Sequence, residues 1–245
     1  MWESAEMKEK IEEKTKKKTE HGKVYFVGFG PGDPDLLTLK AHRLLEQADL
    51  IIYPGSLIDE RFLSRFRGEK VSSHGMKLEE IVELIQRSVE DGKMVVRVQS
   101  GDPSIYGAIN EQISQLEKLG IDVEVVPGVS SVFAAAASLK KELTCPDVGI
   151  GVVITRPAGK TLDEDHLDEL ARLPFTLVIL LGADRVEYIA DKIGRVRGYD
   201  EPAAVVYHAS RDDEVIIEGT LADIADKAKA AGINRTAVII VGKAL

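Results

Sequence analysis

The sequence predicts two α/β domains, a mostly parallel sheet followed by a mixed one, with a ligand cleft between them. Three observations predict it. Short apolar runs alternate with amphipathic helical stretches from Lys23 onward, the rhythm of sheets covered by helices on both faces. That rhythm breaks near Leu143–Gly149, where Pro146 makes a hinge. In the second half, neighbouring strands around Ala209–Asp213 form a hairpin pattern, which a purely parallel sheet cannot contain.

The first element is exceptional. Residues 1–22 are rich in Lys and Glu, with too few apolar side chains to bury a face, and are expected to form a charged arm. Residues 23–145 make the first domain and 146–245 the second. Val24–Val27 is a strand, and the stripe Leu36, Leu37, Ala41, Leu44, Leu45 and Ala48 predicts a helix. Asp49–Tyr53 is a continuous apolar strand, as expected when both faces are covered. Residues 54–77 are less regular, with a short strand near Lys70–Ser72. Leu78, Ile81, Val82, Ile85 and Val89 share a helix face closed by Gly92. Met94–Val98 and Val123–Val126 are strands, Ala108–Leu119 and Ser130–Leu139 helices. The second set comprises strands Gly151–Thr155, Thr176–Leu181, Ala203–His208, Glu214–Glu218 and Ala237–Val241. Its helices are Glu164–Arg172, Asp184–Ile193 and Leu221–Ala230.

Composition narrows the function. The chain has 245 residues, 44% hydrophobic and 30% charged, with a formal net charge of −9. That balance, without a basic patch interleaved with aromatics, excludes nucleic acid as the expected partner. No apolar run approaches the ~20 residues that span a bilayer. The single cysteine, Cys145, fits a reducing compartment, and the charged start is unlike a signal peptide, so a cytoplasmic protein is expected. The five histidines are scattered without metal-ligand spacing, so no metal site is expected.

Three loops follow strands of the first half: Gly28–Leu37, Ser100–Gly107 and Pro127–Ser131. In a parallel sheet all three lie at the carboxyl ends of the strands, where ligands bind. The first has Gly28 and Gly30 in the spacing of a dinucleotide loop, but Asp33 occupies the third glycine position and Pro31 removes a backbone N–H. A carboxylate there repels a phosphate, so a phosphate-bearing ligand is disfavoured. A nicotinamide enzyme would also carry an acid closing the second strand, where this chain has Tyr53. Asp33 and Asp102 each sit in a Gly-Asp-Pro triplet, either accepting backbone N–H groups of their own turn or facing a ligand. Ser130 and Ser131 either cap a helix or bind a ligand carboxylate. Tyr106 either packs over its loop or faces the ligand. Arg43, Arg97, Arg156, Lys160, Arg185 and Arg211 are expected mostly on the surface, with Arg156 in T-R-P-A-G-K best placed to enter a cleft.

Together, G-F-G-P-G-D-P-D-L-L-T (Gly28–Thr38), S-G-D-P-S-I-Y-G (Ser100–Gly107) and P-G-V-S-S (Pro127–Ser131) resemble the tetrapyrrole (corrin and porphyrin) methylases. Ala48–Leu57, Gly107–Gln112 and Ser130–Pro146 resemble the branch that methylates precorrin-4 or cobalt-precorrin-4 at C11. The resemblance implies a tetrapyrrole methylase-like fold and methyl transfer from S-adenosyl-L-methionine to a polycarboxylate tetrapyrrole in cobalamin synthesis. It implies cofactor positions at Pro31, Gly101, Asp102, Ile105, Tyr106, Ser130, Ser131, Leu181 and Ala209, and a homodimer. Arg156 would meet substrate carboxylates and Asp33 would remove a proton or orient a ring nitrogen. After Pro146 the branch usually shows Ser-Gln-Thr, whereas this chain has Gly149, Ile150 and Gly151, and Lys160 stands where arginine is common. A sister methylase acting at another ring position and a non-catalytic binding module are the alternatives.

Overall fold

The computed structural model describes residues 23–245 except 59, 147, 160 and 161. The expected arm at 1–22 and Lys160 lie outside the described residues. The chain divides into two compact units, one ending at Ser130 and the other running Ser131–Leu245.

The first unit is built on five strands, β1 (Val24–Gly28), β2 (Leu50–Tyr53), β3 (Glu69–Ser72), β4 (Val95–Gln99) and β5 (Val123–Val126). They lie in the order β3-β2-β4-β1-β5, and every pairing is parallel. Its helices are α1 (Leu39–Gln47), α2 (Glu60–Leu63), α3 (Leu78–Glu90) and α4 (Ile109–Lys118). Strand alternation sorts the core into two layers. Val27, Ile51, Val96 and Val98 pack with Ala41, Leu44 and Leu45 of α1. Val24, Phe26, Leu50, Ile52 and Val95 pack with Ile81, Val82 and Ile85 of α3 and Leu116 of α4.

The second unit holds α5 (Ser131–Leu139), β6 (Val152–Thr155), α6 (Leu167–Ala171), β7 (Thr176–Ile179), α7 (Val186–Arg197), β8 (Pro202–Tyr207), β9 (Val215–Thr220), α8 (Ile224–Ala230) and β10 (Ala237–Val241). The strand order is β6-β7-β10-β8-β9. β6 and β7 run parallel, whereas β10 is antiparallel to both β7 and β8, and β8 to β9. The hairpin pattern around Ala209–Asp213 is thus the β8–β9 connection. Val132, Ala135 and Leu139 of α5 cover one face with Val178, Ala204, Val206 and Ile240. Leu167, Ile189, Ile193 and Ile224 of α6, α7 and α8 cover the other with Leu177, Val205 and Ile239.

Two expectations need correction. The helix expected from Leu36 begins at Leu39, because the Thr38 hydroxyl accepts the Ala41 N–H at 3.1 Å and caps it. Pro34–Leu36 forms a separate 3₁₀ turn capped by Asp33. Arg97, expected at the surface, is only 5% exposed. It sits in β4, covered on the α3–α4 face, where the strand pattern carries its side chain inward.

Candidate functional site

Because the first sheet is wholly parallel, the loops after β1, β4 and β5 leave from one edge. β1 and β4 are neighbours, yet the chain leaves β1 for α1 on one face and β4 for α4 on the other. This is a topological switch point, where departing loops open a crevice at the carboxyl ends of the strands.

The three glycine loops converge there. Phe29 N–H donates to the Gln99 carbonyl at 2.8 Å, and Gly30 and Gly101 exchange N–H to carbonyl bonds at 3.2 and 2.8 Å. A methyl group on Gly28 would stand 2.5 Å from the Gly128 nitrogen and 2.8 Å from the Gly101 oxygen. No side chain fits that approach, so glycine there serves loop against loop.

Asp102 braces the junction. Its Oδ2 accepts the Gly128 N–H at 2.9 Å, and its Oδ1 accepts the Ser104 N–H at 2.8 Å and the Ser104 hydroxyl. Burial opposes its charge, but these three donors outweigh it and hold the carboxyl below its ordinary value. Asp33 Oδ1 accepts the Asp35 N–H at 2.8 Å. Both aspartates therefore make the turn contacts that their Gly-Asp-Pro setting predicts. Pro31, Gly101 and Ser130 are buried, Asp33, Asp102 and Ile105 half-buried.

Tyr106 is 46% exposed with φ +52°, followed two residues later by Ala108 at φ +48°. Left-handed backbone at residues with a Cβ costs on the order of 1 kcal/mol each and collects at functional sites.

The second sheet shows the same design at one edge. β6, β7 and β8 all point their carboxyl ends the same way, which places Arg156, Leu181 and Ala209 along it. Leu181 is 63% exposed with φ +56°. Ala209 is buried and flanked by two further left-handed residues, His208 at +48° and Ser210 at +71°. The His208 ring stacks on Tyr207 at 3.7 Å and shares a 2.8 Å hydrogen bond through Nδ1 with Asp213. Ser131 opens α5, and Arg156 is half-buried.

The loop carrying Arg156 has a support that the sequence did not reveal. Asp165 Oδ2 accepts the Ala158 N–H at 2.8 Å and the Tyr188 hydroxyl at 3.0 Å, with Lys192 Nζ 3.8 Å from its other oxygen. Burial raises the Asp165 pKa, but these hydrogen bonds and the lysine prevail and hold it low. Arg185 donates to the Ala158 carbonyl. Asp165 lies in the acidic run Asp163–Asp165, at the start of the expected helix Glu164–Arg172, and nothing local marked it. Among the described residues no group of three or more His, Cys, Asp or Glu could hold a metal, and no helix is long and apolar enough to cross a membrane.

Each sheet thus gathers left-handed backbone at the edge where its strands end, Gly30, Gly101 and Tyr106 in the first and Leu181, His208 and Ser210 in the second. The chain belongs to the Tetrapyrrole (Corrin/Porphyrin) Methylases, whose family model matches residues 23–225. A cobalt-precorrin-4 C(11)-methyltransferase of Methanocaldococcus jannaschii is 52% identical over 229 residues, covering 91% of this chain and 88% of the relative. The solved structure of a cobalt-precorrin-4 methyltransferase of cobalamin biosynthesis superposes with a TM-score of 0.88 at 40% identity, over 91% of this chain and 96% of that one. A uroporphyrin-III C-methyltransferase of Thermus thermophilus, complexed with S-adenosylhomocysteine, gives a TM-score of 0.77 at 36% identity, over 91% and 93%.

Gly28→Ala is expected to force the β1 and β5 loops apart, costing about 1–3 kcal/mol and weakening ligand binding at that edge. Chemical denaturation and calorimetric titration of S-adenosylhomocysteine check both, and unchanged values in both would discount the close approach. Asp165→Asn is expected to lower stability at neutral pH. The folded carboxyl titrates below its unfolded pKa of about 3.9, so its contribution is complete above that value and disappears as pH falls through the folded one. The gap in melting temperature to wild type should therefore close below about pH 4; a gap constant with pH would remove the carboxylate's charge from the account.

Proposed function

We propose that the protein is an S-adenosyl-L-methionine-dependent methyltransferase acting at C11 of precorrin-4 or cobalt-precorrin-4 in cobalamin biosynthesis. The observation that carries the reading is that the three loops shared with the family meet at the switch point of the first sheet, two of them glycine to glycine. The likeness in sequence to C11-methyltransferases favours this branch over its sisters.

The residues at these edges fit the cofactor. It has no phosphate, so Asp33 and the missing N–H of Pro31 do not oppose it. When bound, it supplies a methyl group already activated on a sulfonium. What the protein must add is placement and exclusion of water, because an electron-rich tetrapyrrole carbon needs alignment more than acid–base help. Pro31, Gly101, Asp102, Ile105, Tyr106, Ser130, Ser131, Leu181 and Ala209 would hold the cofactor. Asp102 acts by fixing the backbone around it, and Tyr106 and Leu181 offer exposed apolar surface. Arg156 would pair with a carboxylate of the tetrapyrrole, whose fork geometry suits guanidinium. Asp33, at the rim of the first loop, would accept the proton released after transfer or orient a ring nitrogen. We place the enzyme in the cytoplasm as a homodimer.

Thermal denaturation in parallel with S-adenosylhomocysteine, NAD and ATP tests the reading. Ligand at about 100-fold above its dissociation constant stabilises by ~2.7 kcal/mol, a rise of roughly 5–10 °C for a chain of this size. The homocysteine ligand should produce it; a rise with NAD alone would falsify the proposal. Mass analysis of the product from precorrin-4, with and without cobalt, should find one added methyl. Light scattering on the purified protein should return twice the chain mass, and a monomer would refute the dimer.

A further inference from the structure

Arg97 and Gln112 form a buried polar link that the reaction does not obviously require. Each is only 5% exposed. Arg97 Nε donates to Gln112 Oε1 at 3.2 Å, while its Nη1 makes only long contacts, 3.4 Å, to the Ile52 and Val98 carbonyls. Burial lowers the guanidinium pKa to about 10 with no neighbouring charge contributing, so it stays ionised at neutral pH. A buried charge without a counter-ion is costly to the fold.

Gln112 shows where the link leads. Its Nε2 donates to the Ala108 carbonyl at 2.9 Å. The amide orientation follows from chemistry, because a guanidinium only donates and a carbonyl only accepts. Ala108 stands at the N-terminus of α4 in left-handed backbone, with no side-chain cap. It closes the loop that carries Asp102, Ile105 and Tyr106. That loop is pinned at its start by the Asp102 bond to Gly128 and at its end by Gln112.

We propose that Arg97 and Gln112 are positioning residues for this loop. Arg97, anchored in β4, holds the Gln112 amide, which clamps Ala108 in its left-handed conformation. The loop between the two pins is thereby set before ligand arrives, and binding need not supply the ordering. The inference rests on the reading of this loop as a cofactor contact.

Gln112→Glu separates the two halves of the link. It keeps an acceptor for Arg97, now a carboxylate, and removes the donor to Ala108. The melting temperature should stay near that of wild type while the dissociation constant for S-adenosylhomocysteine rises about ten-fold, the scale of one lost hydrogen bond. Adding Ala108→Gly should recover most of the affinity, because glycine adopts positive φ without a Cβ penalty. Arg97→Lys, which keeps the charge but loses the reach to Gln112, tests the link from its other end and should weaken binding in the same way. Folded variants that bind as tightly as wild type would overturn the proposal, as would affinity that falls only in step with melting temperature. A wild-type protein that does not bind S-adenosylhomocysteine would overturn the cofactor reading, and this inference with it.

Discussion

The approach of Gly28 to Gly128 is the constraint on which the first unit's edge depends. Strands β1 and β5 are neighbours, and their loops cross so closely that a methyl group would meet backbone at 2.5 Å. Gly101 closes the same junction from β4 through its paired hydrogen bonds with Gly30. Once these loops touch, the positions of Pro31, Asp102 and Ser130 are no longer independent. Asp102 then spans from the β4 loop to the β5 loop, and burial makes its three hydrogen bonds harder to exchange for water.

How much was legible in the chain varies with the physics behind each feature. The strands were legible because Leu50–Tyr53 and Ala237–Val241 are apolar throughout, as strands covered on both faces are. The gathering of the glycine loops at one edge of the first sheet was legible as well, since glycine and proline cluster after its strands. Arg97 was not read correctly. A charge weighed alone suggests surface, yet Val95, Val96 and Val98 surround it in a strand with helices on both faces, and only that context makes it buried. The onset of α1 was misplaced because Leu36 and Leu37 continue its apolar spacing, while the hydroxyl of Thr38 caps the helix only from Leu39. Left-handed backbone at Tyr106, Leu181 and His208 had no signal at all. Glycine advertises such positions, but tyrosine, leucine and histidine are held there by tertiary contacts that no short stretch of sequence contains.

The two aspartates of the Gly-Asp-Pro triplets show how much of a loop its own residues determine. For both, the sequence left two roles open, a carboxylate accepting N–H groups of its own turn or one facing a ligand. In the structure both carboxylates accept hydrogen bonds of their own turns. Asp102 also accepts the Gly128 N–H, so it shapes backbone beyond its own turn.

Strain and bracing belong together at both edges. Left-handed residues relax to ordinary backbone unless something opposes it. In the first unit the opposition comes from Asp102 on one side and Gln112 on the other. In the second unit, Asp165 fixes the loop after β6, the Thr155 carbonyl ties Leu180 beside Leu181, and Asp213 with Tyr207 holds the His208 ring. A transfer that depends on alignment gains most from groups that do not move on binding, since each ångström of slack is paid in rate. The buried guanidinium of Arg97 fits that demand. It costs the fold stability, and what it provides in exchange is a held Gln112 amide at the end of the loop.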